Sequence, residues 1–414
     1  MDTMTTSYAE IVPVVIGGDI GAYALGREMH EAFGVTSVCV APEPIGAIAH
    51  SAIFDCHQVS RLGRDEVARA LTTLARDHAP RTVVVVSNVD HLIATLGRMA
   101  SSLPANVVMA MPPADVVDLV SDKVEFARLC ADHGLETPRS MTAPCAAGHA
   151  APEWDGDFPL VLKPARSPEY APFLARGFKK VYFVESQERL ESILSSLTEA
   201  GFAGDMLVQE LIGGDDTYMD SITLYIDQGG RCTHFGAAGV LLEDHAPSML
   251  GNPVAMITRQ MPGLWERCVR MLTSVGYRGF ANFDVKRDPK RPGRAVFLEV
   301  NPRIGRNSYY NLAAGANPME ALVRDLVGHE APEPQVAGRR ILYTLVPVPL
   351  LRRYVRDPAL KAEMEELVGA GKVFDPQRYA ADRGVRRMLD VELTELNQWR
   401  KFARHYPEPT DTSF

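Results

Sequence analysis

The 414-residue chain has no C-x-x-C pair. Its six cysteines, Cys39, Cys56, Cys130, Cys145, Cys232 and Cys268, are scattered. That spacing excludes a zinc ribbon and a disulfide framework, and it leaves the thiols as small, buried apolar side chains. No run of about 18 apolar residues is present, and no charged leader precedes an apolar core at the start. A cytoplasmic protein without a membrane span is therefore expected. Basic charge is scarce too. A formal charge of −9 speaks against a nucleic-acid partner, whose phosphates call for a basic surface. The short patch from Arg176 to Lys180 still suits phosphate contacts. There is no internal repeat and no low-complexity tract. The turn Gly17-Gly18-x-x-Gly21 lacks G-x-G-x-x-G spacing, and no acid ends the next strand, so dinucleotide binding is not expected. What such a turn can still take, at a helix N-terminus, is an anionic group such as a substrate carboxylate.

What is present is ample core material. With 46% hydrophobic residues the length predicts a globular protein of two to four domains. Ile11 to Ile16 is an apolar β-rich run, Tyr23 to Phe33 has helical spacing, and Ser37 to Val40 is a second strand. The helical stretch Asp65 to Asp77 leads into the buried run Arg81 to Asn88, and Val107 to Met111 precedes the break at Pro112-Pro113. Residues 1–118 thus read as a doubly wound, Rossmann-like domain. A helix from Asp122 to His133 opens the next unit, closed by Gly134 and Pro138. Phe158 to Pro164 is a strand ending in Lys163, residues 165–178 form a polar loop able to cover a nucleotide, Lys180 to Val184 returns as a strand, and Gln187 to Ala200 is helical. Met206 to Ile212 is a further strand, ended by Gly213-Gly214-Asp215-Asp216. Strands at Tyr218 to Ile226 and Thr233 to Gly239, helices at Gly263 to Val275 and Asn317 to Val327, and an Arg-rich α+β tail from 335 to 414 complete the expectation.

The most informative segments are Phe280 to Lys286 and Phe297 to Arg303. Arg287 to Arg294 (RDPKRPGR) is the polar turn of a hairpin joining them. Alternation along the second strand puts Phe297, Glu299 and Asn301 on one face and Val296, Leu298 and Val300 on the other. Pairing the strands brings Asp284, Glu299 and Asn301 together. A few hard oxygen donors suit Mg2+, which fills its other positions with water and nucleotide phosphates. The plainer reading is a solvated strand face. It weakens because Arg303 follows at once, beside the polar run to Ser308. Tyr309 and Tyr310 are expected to pack.

The E-x-N-P-R run after an acid-bearing strand resembles the metal signature of the ATP-grasp superfamily. The resemblance spans roughly residues 10 to 330. It implies an α/β and α+β multidomain chain: an N-terminal doubly wound pre-ATP-grasp domain at 1–118, a small ATP-grasp subdomain at 119–204, a large one at 205–334 carrying the Mg2+ site, and a C-terminal extension at 335–414. It also implies residue roles. Asp284, Glu299 and Asn301 would hold Mg2+, two ions in all, with Mn2+ able to substitute. Lys123 and Lys163 would neutralise ATP phosphates, although a lysine ending an element ordinarily snorkels to water. Gln209, Glu210, Leu211 and Ile212 would read the adenine edge, and Asp216 the ribose, although Gly-Gly-Asp-Asp is also ordinary turn chemistry. Arg303 would meet the transferring phosphoryl group, and Arg306 would act similarly or bind the substrate carboxylate. Val12 to Asp19, Ser121-Asp122-Lys123 and Leu342 to Leu345 are similar to D-aspartate ligase-like carboxylate–amine ligases. The activity implied is amide formation between an amino-acid carboxylate and an amine through an acyl phosphate, with a peptidoglycan stem-peptide amine as one acceptor. The rivals are a ligase making a dipeptide or another amide, and a regulatory ATP-binding protein without turnover. A homodimer is an admissible assembly.

Overall fold

Unbroken Val and Ile runs make strands that must be covered on both faces. In the computed structural model they form a five-stranded parallel sheet. Its order is Phe54–Gln58, Ser37–Ala41, Ile11–Ile16, Thr82–Ser87, Val107–Val108. The structure describes residues 8, 10–146, 148–165, 167–174, 176–247, 249–328 and 333–412. Every residue of Ile11–Ile16 is buried. The following helix, Ile20–Phe33, starts three residues earlier than its spacing predicts. Asp19 caps it by accepting from Ala22 N at 3.0 Å, and Gly34 at φ 67° ends it. The edge strand Phe54–Gln58 was not expected. Only Phe54 in it is buried, so it carries no apolar pattern.

A second sheet of four strands runs in the order Ser140–Pro144, Asp205–Glu210, Leu160–Pro164, Tyr182–Val184, all antiparallel. Helix Gln187–Glu199 covers it through Leu190, Ile193, Leu194 and Leu197, a helical stripe in which each buried leucine contributes on the order of 2 kcal/mol. The polar loop expected at 165–178 is instead partly helical, at Ser167–Leu174; residues 166 and 175 lie outside the described residues. Tyr170 and Phe173 pack against Phe202 at ring-centroid separations of 5.2 and 5.1 Å. Their i, i+3 spacing supplies a helical face that the surrounding Pro and Gly concealed.

The third sheet has eight strands. In order they are Ala295–Asn301, Gly279–Arg287, Met219–Ile226, Cys232–Asp244, Asn252–Thr258, Leu342–Thr344 and Val373–Phe374, with Gln335–Val336 beside Cys232–Asp244. Short strands from the 335–414 extension therefore continue this sheet. Helix Pro262–Ser274 packs on it through Trp265, Cys268, Met271 and Leu272, in one core with Phe283, Phe297 and Val300. Helix Val385–His405 reaches back to the N-terminal domain, where His50 Nδ1 lies 2.6 Å from Asp390. Five cysteines are buried as expected; Cys56, on the thin edge strand, is exposed.

Candidate active site

The hairpin forms as its sequence predicts, with one correction to its phase. Asp284 opposes Glu299, but Val285 opposes Phe297, so Leu298 is an extra residue in a bulge. Phe297 consequently turns into the core, where its ring meets Phe283 edge-on at 5.8 Å. Leu298 and Glu299 both reach the cleft. Strict alternation cannot show this, because the partner strand sets a bulge. Asn301 Nδ2 donates to Asp284 Oδ2 at 3.1 Å, and Asn282 Nδ2 approaches Asp284 Oδ1 at 3.4 Å. The Asn282 carbonyl itself accepts from Ser221 and Thr223 hydroxyls at 3.2 and 3.0 Å. Two amides therefore orient one carboxylate. Burial, and then the Glu299 charge, push the Asp284 carboxyl far above the ordinary range, while Arg303 pulls the other way.

A cleft of about 290 Å³ opens in front of this pair. Its walls include Lys163, Gln209, Glu210, Leu211 and Ile212 together with Asp284 and Glu299. Seven of the residues singled out in the sequence thus meet in one space. Lys123 stands beside it, opening the helix that Asp122 caps by accepting from Val124 N and Glu125 N, and it donates from Nζ to Pro164 O at 2.8 Å, so it is tied next to Lys163. Burial and the adjacent Lys123 ammonium draw the Lys163 pKa down to about 8, against the opposing pull of Glu299. Glu210 is turned into an ion-pair cluster with Arg291 and Arg294 at 2.8 and 3.2 Å. That fixes the end of the strand, where Glu210 N also donates to Arg139 O at 2.8 Å.

Five expected residues do not line the cleft: Lys123, which stands beside it, Asn301, on the strand that carries Glu299, and Asp216, Arg303 and Arg306. Asp216 is buried behind the wall, its Oδ2 accepting from Glu243 N at 2.9 Å and lying 2.8 Å from His245 Nε2. The residue it supports, Glu243, takes the place on the wall. Arg303 turns to the N-terminal domain and pairs with Asp90, at 2.6 and 3.3 Å. Arg306 likewise pairs with Asp19 at 2.9 Å. The helix N-terminus that seemed open to a substrate anion therefore already holds its own carboxylate. Gly21 permits the approach of Arg306, since a Cβ there would lie 3.0 Å from Arg306 Cα and 2.4 Å from Asn88 Nδ2.

Two charged wall residues escaped the sequence reading, Lys286 and Glu243. Lys286 carried a usable signal: two residues after Asp284, it shares that residue's face. Glu243 carried none, because it ends a long apolar run and its partners come from distant segments. Burial and the Asp216 charge push Glu243 upward, and burial draws Lys286 down against Glu243.

The cleft is thus lined by four carboxylates, Glu210, Glu243, Asp284 and Glu299, and two lysines, and burial together with repulsion from a neighbouring carboxylate pushes two of the acids, Glu243 and Asp284, upward. A divalent cation would remove that repulsion and favour the ionised pair. Asp284, Glu299 and the Asn301 carbonyl form a hard-oxygen set that fits such an ion. Among the described residues no three His, Cys, Asp or Glu side chains gather as a metal cluster.

The fold is the ATP-grasp fold, and the chain is similar to ATP-dependent carboxylate–amine ligases as a class. Within that class the chain is similar to the D-aspartate ligase of Enterococcus faecium (strain Aus0004), with 25% identity over 409 residues, or 96% of this chain and 97% of the relative. Among solved structures, the L-amino acid ligase from Bacillus licheniformis aligns with 76% of this chain and 73% of its own, at a TM-score of 0.51 and 14% identity. N5-carboxyaminoimidazole synthetase from Staphylococcus aureus, complexed with ADP, aligns over 78% of each chain at a TM-score of 0.54 and 12% identity. No family model matches the chain. Among the described residues no helix is long and apolar enough to cross a membrane.

Proposed function

We propose that the chain joins an amino-acid carboxylate to an amine with ATP as the energy source, through an acyl phosphate, releasing ADP and phosphate. The observation that carries this reading is the meeting of Asp284 and Glu299 with Lys163 across one cleft. Phosphoryl transfer asks a protein mainly for position and for compensating positive charge. Lys163 and Lys123 supply charge at the phosphates, and the backbone from Gln209 to Ile212 receives the adenine edge. Asp284, Glu299 and Asn301 would hold Mg2+, with Mn2+ able to substitute, and the ion would supply charge screening at the phosphates. The substrate carboxylate attacks the γ-phosphorus as the bond to the ADP oxygen breaks. The amine then attacks the carbonyl carbon, loses a proton, and phosphate leaves.

The full-length likeness to a D-aspartate ligase supports D-aspartate as the carboxylate partner. The acceptor we infer is the side-chain amine of a peptidoglycan stem-peptide precursor. Product analysis across carboxylate and amine pairs tests the reading. ADP and phosphate should appear in equal amounts, only when both partners are present, with D-aspartate among the active acids. Absence of any nucleotide turnover across the panel would contradict it.

A further inference from the structure

A second cavity, of about 150 Å³, lies where the N-terminal domain, the large sheet and the C-terminal helix meet. We propose that it binds the zwitterionic amino-acid substrate, and that helix Val385–His405 supplies part of its specificity. The proposal rests on the ligase reading above and goes beyond it by giving the C-terminal extension a part in substrate binding.

The walls of the cavity carry Asp19, Arg306, Asp244, Lys401, Gln398 and Thr394. Arg306 pairs with Asp19 at 2.9 Å and Lys401 with Asp244 at 2.6 Å. The lining is therefore balanced, two cations against two carboxylates, whereas a pocket for a simple anion would carry surplus positive charge. One ammonium and one carboxylate of a ligand exchange partners with both pairs and leave the net charge of the lining unchanged. Two polar atoms of the lining residues are also unsatisfied. Arg306 Nη1 and Gln398 Oε1 are buried without a hydrogen-bond partner among the described residues. One is a donor suited to a carboxylate and the other an acceptor suited to an ammonium or amide. Buried polar groups left in this state call for an explanation, and a bound ligand is one.

Size and position agree. The volume is about half that of the nucleotide-facing cleft, on the scale of a small amino acid and too small for a nucleotide. Arg306 stands five residues beyond Asn301, in the loop that also carries Arg303. One short loop thus connects the acid pair with the cavity. The helix residues Thr394, Gln398 and Lys401 fall at i, i+4 and i+7, a single face directed to this wall.

The test is calorimetric binding of D-aspartate, L-aspartate and glycine to the full chain, alone and with a non-hydrolysable ATP analogue and Mg2+. Gln398→Leu is the informative variant. Its Oε1 makes no internal hydrogen bond, so the folded protein should keep its unfolding temperature. Thr394→Val is a second, milder change on the same face. We expect Gln398→Leu to weaken the preferred amino acid roughly tenfold while binding of the ATP analogue is unchanged. Equal amino-acid affinity in the parent and both variants would overturn the proposal, as would the absence of amino-acid binding by the parent. Failure of the parent to bind the ATP analogue would instead strike the ligase reading, which separates the two claims.

Discussion

Replacing Glu299 with Gln keeps the shape of the side chain and removes one charge from the centre of the site. Glu299 is exposed on its strand, opposite Asp284, and its carboxylate acts on three neighbours. It pushes Asp284 upward and favours the charged forms of Lys123 and Lys163. Removing it takes away one anionic donor, so turnover should fall about 100-fold, or about 2.7 kcal/mol of transition-state stabilisation at 1.36 kcal/mol per tenfold. The loss should stop short of complete inactivity, because relief of repulsion lets Asp284 ionise more readily. The same relief, at a residue outside the core, should leave the unfolding temperature unchanged or slightly raised. Lys163 loses a charge that favours its ammonium, so its pKa should drop below about 8 and ATP affinity at pH 8 should weaken together with turnover. The assay is coupled ADP release at saturating Mg2+, with thermal unfolding as the folding control. Turnover within threefold of the parent would refute the assignment of Glu299 to the reaction.

Lys163 and Glu28 give two further tests by pH. Phosphates favour the ammonium form of Lys163, so above about 8 nucleotide binding takes up a proton, and ATP affinity should fall by up to about tenfold per pH unit; Lys163→Met should bind ATP weakly and without that slope, and a retained slope would assign it to another group. Glu28 is a structural acid: it is fully buried, its Oε1 accepts from Ser308 Oγ at 2.8 Å, and burial raises it to about 8. Its folded pKa lies above its unfolded value near 4.5, so its contribution to stability is complete below 4.5 and is lost as pH rises through about 8, at up to ~1.4 kcal/mol per unit. Denaturant unfolding at pH 6 and pH 9 should show this loss in the parent and a much smaller one in Glu28→Gln; equal loss in both would show that Glu28 does not cause it.

The elements that sequence pattern made legible are those whose partners lie nearby in the chain. The RDPKRPGR hairpin, the Val-rich parallel strands and the helix opened by Asp122 and Lys123 follow from turn chemistry, β-branched runs and capping, all local effects. The acid pair was legible for the same reason, since one hairpin brings Asp284 to Glu299. The phase of Phe297 was not, because the bulge at Leu298 depends on how the two strands meet. Asp216 was legible as an acid after a strand, but its placement depends on Glu243 and His245, nearly thirty residues away, which turn it inward. Arg303 and Arg306 were legible as cations near the metal strand. Their ion pairs with Asp90 and Asp19 come from the other end of the chain, and no spacing rule relates them. The Ser167–Leu174 helix was masked by Pro and Gly, although Tyr170 and Phe173 already marked its packed face.

The central claim is that the substrate carboxylate itself attacks ATP at the γ-phosphorus. An amino-acid substrate labelled with 18O in the reacting carboxylate answers it directly, because the oxygen that attacks phosphorus stays bonded to it when the amine displaces phosphate. Mass spectrometry of the products should find ADP and inorganic phosphate carrying one 18O atom per turnover. Label recovered in AMP, with pyrophosphate as co-product, would contradict the account.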